Sequence, residues 1–317
     1  MSSELLFREG RSSDLRPTFA LAGRSSIETA RSGRSPPAGS KGEESSLEEE
    51  WRRQRPLLEF IAAQPDGSFW VCESGEEIVG YARVSRFGEM DELGELAVSP
   101  EHAGRGVGRG LLERCWPKSP TRELGRVVIT PGTPADLSLY TGFGVMPVAG
   151  HWQLRHRPGE YLERRSLELV DASEPSVHAL TGDRAVTEWK RLEPAAIGHE
   201  RPRLHDFFGR TRNCLACMDG EGGQALALCW VSPDAEIGPA VGATPEHLVP
   251  VVLAALDRVA KAQEPATLGI HCTTDSWWLL DHLRRLDFRV SRASWVMSSV
   301  PLPGLDRYLP TRPALLL

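Results

Sequence analysis

The sequence predicts an α/β (α+β) chain of two tandem domains, each a mixed, mostly antiparallel twisted sheet flanked by helices. Three observations predict it. The chain has 317 residues, about twice the ~150-residue size at which a second core becomes the natural expectation. Short β-rich runs joined by turn signals alternate with amphipathic helical stretches in both halves. A Pro158-Gly159 break separates residues 1–157 from residues 158–317, and the elements on its two sides follow a similar order.

Composition bounds the class. Hydrophobic residues make up 40% and charged residues 25% of the chain, the proportions of a globular protein able to bury cores. The net charge of −6 argues against nucleic acid as a partner, since such binding draws on clustered Lys and Arg. The longest apolar runs, such as Val249 to Leu256, fall short of the ~18 to 20 residues that span a bilayer, so no membrane partner is expected. Glu4, Glu9 and Asp14 interrupt the Arg- and Ser-rich N-terminus, and no apolar signal core follows, which predicts a cytoplasmic protein. Six cysteines, at 72, 115, 214, 217, 229 and 272, are too scattered for a secreted disulfide framework. Cys214-x-x-Cys217 is half of a zinc site without a second pair, so no metal is expected.

The elements follow from pattern. Residues 4–9 read as a short strand and Leu15 to Ala30 as a weakly amphipathic helix. From Arg31 to Leu47 the apolar content is too low for self-ordering, which predicts a flexible loop. Glu48 to Ala63 carries Trp51, Leu57, Leu58 and Ile61 at helical spacing before the turn Pro65-Asp66-Gly67. Ser68 to Glu73 and Ile78 to Val84 read as an antiparallel hairpin, and Asp91 to Ser99 as the next strand. A glycine-rich turn leads into a helix, Val107 to Cys115, that Pro117 ends. Strand Arg126 to Thr130, helix Pro134 to Thr141 and strand Val145 to Leu154 complete the half. In the second half the expected order is strand Ser166 to Val170, helix Glu174 to Arg191, and strands Cys214 to Met218, Ala225 to Val231 and Glu236 to Gly242. Helix Pro245 to Lys261, strand Thr267 to Cys272, helix Ser276 to Leu286 and strand Phe288 to Val300 follow.

The stretch with chemical content runs from Glu95 through Leu96, Ala97, Val98 and Pro100 to Ala103, Gly104, Arg105, Gly106, Val107, Gly108, Arg109 and Gly110. Alternating glycines permit positive φ and close ligand approach, and the following helix presents free N–H groups and about half a positive charge. Such a turn can hold a diphosphate without a lysine cluster, with Arg105 and Arg109 adding to the field. A dinucleotide fingerprint would need these glycines near the first strand with an acidic residue about 20 residues on. A P-loop would end Gly-Lys-Ser/Thr, whereas this one ends Gly108-Arg109-Gly110.

The stretch resembles motif A of the GNAT N-acetyltransferase superfamily. Leu96, Val98 and Pro100 match its Leu-x-Val-x-Pro strand, and Gly106 and Gly108 match the glycines of its Gln/Arg-x-x-Gly-x-Gly/Ala loop, with Ala103 in place of the polar first residue. Leu139-Tyr140-Thr141-Gly142-Phe143 is similar to the family's Tyr-x-x-x-Gly-Phe segment, shortened between Tyr and Gly. The resemblance covers about residues 4–154. It implies acetyl-CoA as co-substrate, held from Leu96, Ala97 and Val98 through Ala103 to Arg109, with the pantetheine arm lying like an added strand along the family's fourth strand. It further implies N-acetyl transfer to a primary amine by direct attack in a ternary complex. Tyr140 is then the counterpart of the residue that protonates the departing thiolate. Glu95, or alternatively Glu92, would serve as base through water, while the plain reading of Asp91, Glu92 and Glu95 is a solvated acidic edge. His102 reads as a solvated loop residue with a phosphate contact as the alternative.

In the second half, Ile237 to His247 stands where motif A would, without the Gly-x-Gly-x-Gly loop, and Leu283 to Arg289 resembles the family's helix-to-strand step with Asp287 in place of glycine. The resemblance therefore implies a degenerate second copy. His271, Trp277 and Trp278 read as core, with an acceptor pocket as the alternative. Length and tandem arrangement resemble the mycothiol synthase family, but there the chemistry is C-terminal and here the intact loop is N-terminal. The expected acceptor is a small-molecule amine or a peptide amine, and the expected state a monomer or homodimer. The competing reading is a non-catalytic acyl-CoA-binding sensor.

Overall fold

In a computed structural model that describes residues 4–32, 43–116, 124–167, 176–220, 222–263 and 265–311, the chain divides into two units, Met1–Leu124 and Gly125–Leu317. The first unit contains β1 (Leu5–Glu9), α1 (Leu15–Ser32), α2 (Glu43–Ala62), β2 (Ser68–Ser74), β3 (Glu77–Phe87), β4 (Met90–Val98) and α3 (Val107–Cys115). Its strands pair in sequence order, β1-β2-β3-β4, each antiparallel to the next. Side chains alternate across a strand, and β3 shows why the sheet is covered on both faces. Tyr81 points to one side, into a core with Leu21 of α1 and Val71 of β2. Gly80 faces the other, where an added Cβ would stand 2.7 Å from a Val107 methyl and 3.3 Å from Leu111. The missing side chain is what lets α3 seat against the sheet.

The second unit contains β5 (Gly125–Thr130), α4 (Pro134–Thr141), β6 (Met146–His156), α5 (Pro158–Leu167), β7 (Val177–Leu180), α6 (Gly182–Leu192), α7 (Pro194–Ile197), α8 (Pro202–Thr211), β8 (Asn213–Met218), β9 (Ala225–Val231) and β10 (Ile237–Gly242). Then come α9 (Pro245–Ala262), β11 (Leu268–Thr273), α10 (Trp277–Arg285), β12 (Arg289–Ser298) and β13 (Tyr308–Leu309). One antiparallel run has the order β5-β12-β6-β11, so the last long strand lies between two strands of the first half of the sequence. The other sheet has the order β13-β10-β9-β8-β7. One apolar core joins α9, buried along most of its length, to β8, β9, β10, β11 and α10.

Four expectations are corrected. Arg31 and Ser32 end α1 and residues 43–47 begin α2, so part of the expected loop 31–47 is helical; its remainder, 33–42, lies outside the described residues. Ser166 and Leu167 belong to α5, not to a strand, because Pro158 opens a helix that buries Tyr161 and places Arg164 and Arg165 in its last turn; 168–170 lie outside the described residues. Within the expected helix Glu174 to Arg191, 174 and 175 lie outside the described residues and the rest is β7 followed by α6: Val177 to Leu180 pair with Cys217 to Cys214, and tertiary pairing overrides a helical pattern. Trp277 and Trp278 are 73% and 50% exposed, so they are surface rather than core; Leu279 and Leu283 form the buried face of α10 instead.

Candidate active site

Between β4 and α3 the chain makes a 3-10 turn, Pro100–His102, fixed by a 2.8 Å hydrogen bond between Ser99 Oγ and His102 Nδ1. Gly104 and Gly106 follow at φ of 73° and 82°, a conformation that costs an L-residue about 1–2 kcal/mol. Gly106 is the N-cap of α3, and the first helical bond runs from Gly110 N–H to Gly106 O at 2.9 Å. The amides of Val107, Gly108 and Arg109 therefore lie at the open helix end. No acidic residue stands in the first turn to neutralise the dipole. A Cβ added at Gly104 or Gly106 would meet nothing within 4 Å, and Ala103, Arg105 and Arg109 are exposed. The turn is thus an open cradle of amides flanked by two arginines, and a diphosphate fits it.

The strand leading into the cradle holds the acidic candidates. Glu95 lies opposite Arg83 in the β3–β4 ladder, with Leu96 opposite Ala82, Ala97 opposite Tyr81 and Val98 opposite Gly80. Arg83 Nη1 lies 3.2 Å from Glu95 Oε2, with the two side chains 2% and 11% exposed. The guanidinium also donates to Thr18 Oγ1 of α1 at 2.8 Å and lies 4.9 Å over the Phe69 ring. Burial, and then the charge of Glu95, raise the Tyr81 phenol well above its ordinary range. Asp91 and Glu92 are each 1% exposed, and Asp91 pairs with Arg86 at 2.7 Å. The acids of β4 are therefore not a solvated edge; a buried carboxylate needs a partner, and two of them have arginines.

Arg83 was not singled out from the sequence, although a hairpin register placing it across from Glu95 carries that information. Glu95, Leu96, Ala97, Val98 and the residues from Ala103 to Arg109 all fall in the first unit, on one strand, the loop after it and the start of α3.

Tyr140 lies in the second unit, on α4. Thr133 caps this helix by accepting from Asp136 N–H at 3.2 Å, while Asp136 accepts from Thr133 N–H, a reciprocal pair that fixes the helix start. The tyrosine is 4% exposed. Burial first, then the Asp136 charge, raise its phenol far above the ordinary value, against a hydrogen bond with Thr130; the group stays protonated and can act only as a proton donor near neutrality.

No cysteine offers a nucleophile. All six are buried free thiols, and burial pushes Cys115, Cys214 and Cys272 each up to about 12, where the reactive thiolate is scarce. Cys214 and Cys217 stand three positions apart on β8 and so point to opposite faces of the sheet, which is not a chelating pair. His271 stacks on the buried His151, ring centroids 5.5 Å apart.

Residues 65–144 match the family described as Acetyltransferase (GNAT) domain. No curated protein matches the sequence. Solved structures share its fold. A Pyrococcus horikoshii protein superposes with TM-score 0.69 at 16% identity, covering 99% of this chain and 96% of its own. A tandem GNAT protein from the clavulanic acid biosynthesis pathway gives TM-score 0.58 at 18% identity over 94% and 99%. A GCN5-related N-acetyltransferase from Sphaerobacter thermophilus gives 0.57 at 15% identity over 96% and 98%. At these identities the likeness is one of fold.

Proposed function

From a chain of the GNAT superfamily, with the family's domain in residues 65–144 and the fold of its tandem proteins, we propose an N-acetyltransferase that moves the acetyl group of acetyl-CoA to a primary amine. In this reading residues 1–157 are the working copy and 158–317 a degenerate one, and the protein acts in the cytoplasm on a small-molecule or peptide amine. The observation that carries it is the open amide cradle at Gly104 to Arg109, directly after β4 and free of acidic side chains.

The backbone from Ala103 to Arg109 holds the diphosphate, and Leu96, Ala97 and Val98 line the pantetheine arm. The acceptor nitrogen, once deprotonated, attacks the thioester carbonyl carbon, and a main-chain N–H of β4 stabilises the oxyanion. The ammonium proton leaves through water to Glu95 before the attack, collapse expels the thiolate, which takes a proton from Tyr140, and the surplus proton left on the nitrogen returns to the tyrosinate through water. Direct transfer is favoured over an acyl-enzyme because no cysteine is exposed. Proximity of two bound substrates then supplies much of the acceleration.

A second reading, a non-catalytic acyl-CoA sensor, is favoured by one observation: Glu95 already has Arg83 as counter-ion, so a base must compete with a guanidinium. Calorimetry with acetyl-CoA, paired with a thiol-release assay over a panel of amines, decides. Binding with thiol release on at least one amine is expected. Binding without release on any would favour the sensor, and no binding would sink both.

A further inference from the structure

In the second half, β10 followed by α9 repeats the order of β4 followed by α3. The strand after α9, β11, is not paired with β10; the two belong to different sheets. The crevice between them is filled. Val241 pairs with Tyr308 and Ala240 with Leu309 along the edge of β10 not taken by β9. On the β11 side, the hydroxyls of Thr273 and Ser276 each lie 2.8 Å from the Leu305 carbonyl, and Ser276 Oγ lies 3.2 Å from that of Tyr308. Gly304 N–H donates to Ala196 O at 2.7 Å and Arg307 Nη1 to Ala243 O at 3.1 Å. Leu305, Tyr308 and Leu309 are buried, and the Tyr308 hydroxyl reaches the buried carboxylate of Glu193 at 3.2 Å.

A separate observation concerns the helix start. The first half has eight residues, 99–106, between strand and helix, and the second has two, 243–244. A Cβ on Gly242 would come within 2.5 Å of Thr244 O, so this link is drawn tight. Pro245 brings no N–H to the end of α9, and Glu246 already places a carboxylate in its first turn. Hydrogen bonds from Thr244 and from its own backbone amide hold that carboxyl below its ordinary range. An arriving phosphate would meet a lost donor and a resident anion.

We infer that the crevice between β10 and β11 is a strand-binding groove whose occupant is residues 305–309 of the same chain, so that the second half takes no coenzyme and each chain binds one. The inference rests on the reading that coenzyme lies along β4 in the first half. β-Addition explains the occupancy: the two-residue strand Tyr308–Leu309 satisfies the free edge of β10 with main-chain bonds, while Leu305 of the 3-10 turn before it, with Tyr308 and Leu309, fills apolar space.

Hydrogen–deuterium exchange of the full wild-type chain, with and without saturating coenzyme A, tests it beside calorimetric stoichiometry. Residues 305–309 are expected to exchange slowly in both states, residues 103–110 to slow on addition, and one equivalent to bind. Faster exchange at 305–309 together with slower exchange at 243–248 on addition, or a second equivalent, would overturn the inference, as would fast exchange at 305–309 in the free chain. Slow exchange at 305–309 with a silent loop and no heat would sink the acetyl-transfer reading alone. Ser276→Ala should speed exchange at 305–309 roughly tenfold, the loss of about one net hydrogen bond, at unchanged coenzyme affinity; a changed affinity would overturn the groove assignment.

Discussion

At the scale of single residues, the cradle depends on backbone angles that side chains resist. Gly106 has φ of 82°, so Gly106→Ala should cost about 1–2 kcal/mol of stability and, by turning the amides of 107–109 away, weaken acetyl-CoA at least about tenfold. Gly75, at φ of 67° in an exposed hairpin with nothing within 4 Å of an added Cβ, is the matched control: Gly75→Ala should cost similar stability and leave affinity intact. Equal affinity losses in the two variants would show strain rather than ligand contact. A second residue sets pH dependence. Burial lowers His151 from the ordinary imidazole value of 6.5 to about 4, so the folded imidazole stays neutral while the unfolded one takes a proton as pH falls below 6.5. Stability contributed by the neutral form is therefore present above pH 6.5 and lost as pH falls to about 4, about 3 kcal/mol in all. Denaturation midpoints of wild type and His151→Asn, compared from pH 7.5 to 4, should converge or cross in that window; parallel curves would remove His151 from the account.

Elements position the cradle, and one contact decides where α3 sits. Gly80 lets the Val107 methyl approach to a point where a Cβ would be 2.7 Å away. Gly80→Ala should push the first turn of α3 outward and weaken acetyl-CoA by about three- to tenfold, and adding Val107→Ala should restore much of it, since overpacking is relieved by removing volume at the same site. Additive losses in the double variant, measured by calorimetry, would refute that seating. The bounds of α3 and α4, the β2–β3 hairpin and the strand β4 were legible from the sequence, because Pro100, Pro117 and Pro134 and the turn Ser74-Gly75-Glu76-Glu77 punctuate them and glycines mark the loop. The cradle was legible for the same reason: positive φ is written in glycine. What could not be read is non-local. β7 reads as part of a helix until its ladder with β8 is known, and α7 and α8 carry no periodic run long enough to announce themselves. The environment of Glu95 depends on Arg83 across a ladder and Thr18 from α1, pairings that a strip of residues does not display. The exposure of Trp277 and Trp278 reverses the usual preference of tryptophan, which composition alone cannot foresee.

Across the whole molecule, the two halves of the sequence are not separable pieces of structure. Four residues of β12, Ser298 to Trp295, pair with Val127 to Thr130 of β5, and the opposite edge of the same strand pairs with β6 from Met146 to Arg155. Cutting the chain after residue 157 would leave β5 and β6 with facing edges unpaired and, because β11 departs as well, β6 with no partner on either side. Exposed strand edges of this length template intermolecular pairing, and the apolar residues of β6, such as Leu154, lose the core supplied by α9 and β11. The fragment 1–157 expressed alone should therefore aggregate, even though it contains the whole GNAT match at 65–144, the cradle and Tyr140. Co-expression with 158–317 should recover a soluble complex that binds acetyl-CoA with near wild-type affinity, because β12 then returns in trans to the gap between β5 and β6. Size-exclusion chromatography and calorimetry on the three preparations separate the possibilities. A monomeric, folded 1–157 with full affinity would mean that β12 is dispensable to the first copy, and the second half would then need another reason to have been kept.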